Sequence, residues 1–134
     1  MPSLTLFNQP LLRKYETNFL GMYIDEKLSW KPHVHHVLGK ISRMIGILAK
    51  LQSVLTLSSM KTIYFSLIHS HILYGIIFWS FASKTERNKV FIIQKKIIRI
   101  ISNSNRLDHS EPLFKRLNIL KLDDLWRFEM SKFV

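Results

Sequence analysis

Ser29-Trp30-Lys31-Pro32-His33-Val34 is the stretch at which the chain passes from strand-like to helix-like patterning. Pro32 suits the first turn of a helix, where its missing N–H would go unpaired in any case, and Ser29 is the candidate cap for that turn. From Val34 onward, apolar residues recur at Val37, Leu38, Ile41, Ile45, Leu48, Leu51 and Leu55. This is the spacing of one helical face, with Lys40, Arg43 and Lys50 falling mostly on the others. A long helix is therefore expected to begin after Trp30, and it sets the fold class as mainly α.

On the N-terminal side, Leu4-Thr5-Leu6-Phe7 and Asn18-Phe19-Leu20-Gly21-Met22-Tyr23-Ile24-Asp25 read as two short strands, with a turn-like Asn8-Gln9-Pro10 between them. They predict one short antiparallel hairpin. On the C-terminal side, Thr56-Leu57-Ser58-Ser59 ends the first helix and supplies hydroxyls to cap a second, over 60–82. A third helix is expected over 84–102, burying Val90, Ile93, Ile97 and Ile101 and turning Lys89, Lys95, Lys96 and Arg99 elsewhere. Asn103-Ser104-Asn105 breaks it, and two short helices over 110–117 and 122–133 meet at Asn118. The architecture expected is a short N-terminal β-hairpin, an antiparallel bundle of about three long helices, and two short C-terminal helices.

A chain of 134 residues with 47% hydrophobic and 12% aromatic content, and only 4 Gly and 4 Pro, has enough apolar material for one core. Twenty Lys and Arg against nine Asp and Glu give a formal charge of +11, which favours a polyanionic partner such as nucleic acid or an anionic membrane. The absence of Cys excludes disulfides, thiolate metal sites and cysteine nucleophiles. The first ten residues show no secretory signal pattern, so an intracellular location in cytoplasm or nucleus is expected. One rival reading comes from 62–83, a run free of charged residues and long enough for a single membrane span, flanked by Lys61 on one side and Lys84 and Arg87 on the other. Equally, a helix apolar on all sides can form the centre of a helical core.

Residues able to carry chemistry are few. Asp123-Asp124 is the one adjacent pair of aspartates, but its setting, Leu122-Asp123-Asp124-Leu125-Trp126-Arg127, reads as the start of a helix, where acids favour the positive end of the dipole. His33 and His36 share a helical face without a convincing third ligand, and His69 and His71 point apart, so no metal is expected. Neither a phosphate-binding glycine loop nor a Gly-x-Ser-x-Gly elbow occurs. Basic residues interleave with aromatics in 84–106 and around Lys61-Thr62-Ile63-Tyr64-Phe65, a composition suited to phosphates and exposed bases.

The segment Phe19-Leu20-Gly21-Met22-Tyr23-Ile24-Asp25-Glu26-Lys27-Leu28-Ser29-Trp30-Lys31-Pro32-His33-Val34 resembles the reverse transcriptases of non-LTR retrotransposons, jockey-like elements in particular. Matches continue in order through Lys40-Ile41-Ser42, Gly46-Ile47-Leu48, Tyr64 to Leu67, Ile72-Leu73-Tyr74-Gly75 with Trp79, Gln94-Lys95-Lys96 and Arg99-Ile100-Ile101. Pro112-Leu113-Phe114 and Leu117-Asn118-Ile119-Leu120-Lys121-Leu122 complete them.

The resemblance implies an end-of-palm, primer-grip-like hairpin over 1–30, with Phe19, Leu20 and Gly21 at the grip, and a thumb-like helical region over 31–134. It also implies that the Tyr/Phe-x-Asp-Asp box and its Mg²⁺ belong to an upstream part that this chain lacks. No catalytic residue, metal ligand or cofactor is therefore expected here, and the chain alone is expected to be inactive. The implied partners are an RNA/DNA primer-template duplex and the palm and fingers of the parent polymerase, with no small-molecule substrate. Lys40, Arg43, Lys89, Lys95, Lys96 and Arg99 are the residues expected to contact the sugar-phosphate backbone. A remnant of a decayed element without function is the remaining reading.

Overall fold

The computed structural model describes residues 3–133 and is mainly α. Its N-terminal part holds two antiparallel hairpins where the sequence pattern predicts one. Strands β1 (Thr5–Leu6) and β2 (Gln9–Pro10) form the first, and β3 (Glu16–Phe19) and β4 (Met22–Asp25) the second. The run 18–25, expected as one strand, instead folds back at Leu20-Gly21. Phe19 pairs with Met22, so the turn has two residues, both at positive φ of 51° and 82°. That geometry matches the twist of the flanking strands, and the Asn18 side-chain oxygen secures it by accepting the Gly21 N–H at 3.0 Å. Phe7 and Asn8 make the first turn in the same way, at φ of 50° and 62°.

Asp25 ends β4 and governs the passage into helix. Its carboxylate accepts the Ser29 N–H at 2.8 Å and the Ser29 hydroxyl at 2.7 Å. Burial acts to raise the Asp25 pKa, but the Ser29 hydrogen bonds and neighbouring backbone amides outweigh it and hold the carboxyl below its usual range. Ser29 is not the cap residue itself. Trp30 occupies that position at φ 62° with no side-chain bond, while the Ser29 hydroxyl accepts the Lys31 N–H from one residue further out at 3.3 Å. Helix α1 (Lys31–Leu51) then buries His33, Val34, Val37, Ile41 and Leu48 along one face, as the spacing predicts.

The expected single helix over 60–82 is broken. Helix α2 (Leu57–Ile63), capped by the Thr56 hydroxyl accepting the Ser59 N–H at 3.3 Å, runs into a π-helical segment (Tyr64–His69) and then α3 (Ser70–Leu73). The chain breaks at Tyr74, with ψ of 115°, and Gly75, with φ of 65°, before α4 (Ile76–Trp79). Hairpin β3–β4 sits at this break. The Tyr74 hydroxyl donates to the Leu20 carbonyl, and a Cβ on Gly75 would overlap the thioether of Met22. The uncharged run is spent on the core, with Tyr64, Ile68, Ile72 and Trp79 at 0% exposure. No helix among the described residues is long and apolar enough to cross a membrane, so the membrane-span reading has no support in the fold.

Helix α5 (Lys84–Ile101), capped by Ser83, packs against α1 and buries Val90, Gln94, Ile97, Ile98 and Ile101. Helices α6 (Glu111–Leu117) and α7 (Leu122–Ser131) close the core, with Asn118 ending α6 at φ 56°. Gln94 joins them all. Its amide nitrogen donates to the Tyr64 hydroxyl at 3.0 Å and the Leu120 carbonyl at 3.1 Å, and its oxygen accepts the Leu122 N–H at 3.1 Å. One side chain therefore satisfies a free donor at the start of α7 and a buried phenol at once. Burial pushes the Tyr64 hydroxyl up to about 12, with the Gln94 bond opposing.

Candidate nucleic-acid interface

Lys89, Lys95, Lys96 and Arg99 are spaced along α5 so as to lie away from its buried stripe. They are not equally available. Lys89 Nζ lies 3.0 Å from the carboxylate of Glu86, a residue only 5% exposed, and is committed to that acid. Lys95 sits 4.9 Å above the Phe91 ring. The Arg99 Nε donates to the Asp108 carbonyl at 2.8 Å, which fixes the plane of its guanidinium. Lys96 is exposed.

Lys96 and Arg99 come together with a third cation that the helical pattern does not flag. Arg106, from the loop after α5, lines the same cleft, whose other walls are Ile45 of α1, Gln52 just past its end, Ile100 and Ser104. The signal in the sequence is faint: a basic residue in a polar, helix-breaking segment directly after a basic helix. Among the described residues no acidic side chain lines the cleft, so its lining favours an anion.

Lys40 and Arg43 are exposed on α1 and form a separate group around His36. Burial lowers the His36 pKa first, and Lys40, His71 and Arg43 lower it further by repulsion. The ring lies 4.4 Å from that of Tyr23, on β4. Its neighbour His33 is a core residue. The His33 Nδ1 accepts the Tyr23 N–H at 3.3 Å, which puts the proton of the neutral ring on Nε2. Burial, helped by His36, holds the His33 pKa below its ordinary value, with the Tyr74 backbone opposing.

Phe19, Leu20 and Gly21 form the tip of the β3–β4 hairpin. Phe19 is 63% and Leu20 76% exposed, while Gly21 faces the Tyr74 ring closely enough that a Cβ would lie 3.3 Å from it. The tip is apolar, with Phe19 and Leu20 exposed, and is held by its positive-φ turn and by the Tyr74 hydroxyl bond to the Leu20 carbonyl.

The Mg²⁺ that the resemblance implies finds no fit here. Asp123 and Asp124 lie in the first turn of α7, where Asp123 is 3.6 Å from Arg87 and Asp124 3.7 Å from Arg127. Each carboxylate faces a cation of its own, and no group of three His, Cys, Asp or Glu among the described residues could hold a metal ion.

Known proteins give the arrangement a context. The RNA-directed DNA polymerase from mobile element jockey of Drosophila melanogaster is 28% identical over 122 residues, covering 87% of this chain and 13% of its own length. The corresponding jockey polymerase of Drosophila funebris is 25% identical over 136 residues, covering 98% of this chain and 15% of its own length. The probable RNA-directed DNA polymerase from transposon BS of Drosophila melanogaster is 25% identical over 122 residues, or 89% of this chain and 13% of its own length. The chain is thus similar, over most of its length, to a part of the reverse transcriptases of non-LTR mobile elements. It spans 13–15% of the length of these curated relatives. No protein-family model matches the chain. No solved structure matches it either.

Proposed function

We propose that this chain acts inside the cell as the backbone-binding, thumb-like part of a mobile-element reverse transcriptase, holding a primer-template duplex without reading its sequence. The observation that carries the reading is the convergence of Lys96, Arg99 and Arg106 on one cleft free of acidic lining, in a chain of net charge +11. Cations grouped in this way neutralise phosphates and give affinity that is independent of sequence. Lys40 and Arg43 extend the positive surface along α1, whereas Lys89 and Lys95 contribute less because Glu86 and the Phe91 ring already engage them.

In this reading residues 1–30 are the primer-grip-like hairpin, with Phe19, Leu20 and Gly21 against the primer end, and 31–134 are the thumb-like helices. Phe7, Leu12 and Leu20, among the most exposed large apolar residues of the hairpins, are the kind of surface that a larger assembly covers, here the palm and fingers of the polymerase. Polymerisation and its Mg²⁺ reside in that other part.

The test is binding of the purified chain to an RNA·DNA primer-template, comparing wild type with a Lys96→Gln/Arg99→Gln/Arg106→Gln variant. Affinity should fall by an order of magnitude or more, and equally for duplexes of unrelated sequence. Unchanged affinity, or a loss confined to one sequence, would refute the assignment.

A further inference from the structure

The cleft bearing Lys96, Arg99 and Arg106 has a more specific chemistry than a surface that tracks a phosphate backbone. Three cations serve a single concave site, and its lining contributes no carboxylate to offset them. An internal phosphodiester carries one negative charge, whereas a terminal phosphomonoester approaches two near neutral pH because its second pKa is about 6. The site is therefore over-provided for a backbone phosphate and matched to a terminal one.

The loop that completes the site is held in place rather than left loose. Asn103 turns the chain at φ 54°, and the Ser104 N–H returns to the Arg99 carbonyl at 2.9 Å. The Gln52 amide donates to the Asn103 side chain at 2.5 Å, tying the loop to α1. Arg116 donates to the Ser102 carbonyl at 3.3 Å, tying it to α6. Asp108 is the nearest acid in sequence, but its carboxylate accepts the Asn105 N–H at 2.7 Å and its carbonyl receives Arg99 Nε. That last bond is made by Nε and orients the guanidinium, and among the described residues no hydrogen bond engages its terminal nitrogens, the fork that grips a phosphate with two hydrogen bonds. Beside the cations, Ile45 and Ile100 offer an apolar wall against which a sugar or base can lie.

We propose that this cleft is a terminal-phosphate site, taking the phosphomonoester of a nucleotide at the 5′ end of a strand or on a free nucleotide. The assignment rests on the nucleic-acid-binding reading and adds to it a preference for strand ends. Its test uses the full chain and one short oligonucleotide with either a 5′-phosphate or a 5′-hydroxyl, with binding read by fluorescence anisotropy from a label at the 3′ end.

The 5′-phosphate should tighten binding by roughly tenfold, the yield of one good charge-assisted contact. Arg106→Gln should abolish that difference, and Lys27→Gln, which removes an equal charge from the hairpin end, should preserve it. Competition by adenosine monophosphate would extend the site to free nucleotides, and failure to compete would restrict it to strand ends. Equal affinity for the two oligonucleotides, with both bound, would overturn the terminal-phosphate site and leave the nucleic-acid reading standing. Binding of neither would overturn both.

Discussion

Gln94 shows how one residue can decide whether the rest of the chain packs. Fully buried, it makes three hydrogen bonds that link α5 to the Tyr64 phenol, the Leu120 carbonyl and the first turn of α7. Replacing it with Leu would leave those groups buried and unpaired, so Gln94→Leu should cost about 3 kcal/mol or more. The measurement is the midpoint of denaturant unfolding; a loss under about 1 kcal/mol would mean that water or neighbours replace the amide. Histidines set a second expectation. His33, His36 and His69 all have pKa values lowered from an ordinary 6.5, chiefly by burial, so the unfolded chain binds more protons than the folded one as the pH falls. Their contribution is fully present above pH 6.5 and is lost as the pH drops through the lowered folded values. The melting temperature should hold level above that point and decline below it, and His33→Gln should flatten the decline. Sequence spacing put His33 on one helical face with His36 but did not mark it as buried, because its bond to the Tyr23 N–H depends on a hairpin that comes from outside the helix and leaves no periodic trace. Gln94 escapes for a related reason: in sequence it looks like one more polar residue beside Lys95 and Lys96, and only the arrival of α7 makes it central.

Among the elements, the junction of the β3–β4 hairpin with the break between α3 and α4 is where local pattern and tertiary structure part company. A run of apolar residues over 62–83 gives no hint of interruption except Gly75, which a helix tolerates at modest cost. What breaks the helix is the fit of Met22 against Gly75 and of Tyr74 against Leu20, contacts between residues far apart in sequence. By contrast, the periodic faces of α1 and α5, the Thr56 cap and the Asn118 stop follow from nearest-neighbour chemistry and can be read directly. Gly75→Ala should destabilise the chain by about 1–2 kcal/mol through its left-handed backbone alone. It should also force the flexible end of Met22 out of its seat, so amides of β3 and β4 should exchange faster. Because the two effects share one contact, Gly75→Ala/Met22→Ala should cost less than the sum of the single changes. Full additivity with unaltered exchange in 16–25 would show that the hairpin does not depend on this junction.

At the scale of the whole molecule, the apolar content that suggests a membrane span is accounted for by a core in which α1, the broken helix and α5 bury one another. An expressed chain should accordingly be released by carbonate extraction, and retention in the membrane fraction would contradict this packing. Charge is distributed with equal consequence. The excess of cations is legible in composition, and the basic face of α5 could be named from its spacing, but the grouping of Lys96 and Arg99 with Arg106 required the loop to fold back over α5. Whether that grouping binds a nucleic-acid backbone is tested most directly by titrating the chain with an RNA·DNA primer-template at several salt concentrations. The logarithm of the binding constant should fall linearly with the logarithm of salt, and Lys96→Gln/Arg99→Gln/Arg106→Gln should lower the slope by somewhat under about 0.9 for each phosphate no longer neutralised. A slope unchanged by the triple substitution, or the absence of saturable binding at low salt, would contradict it.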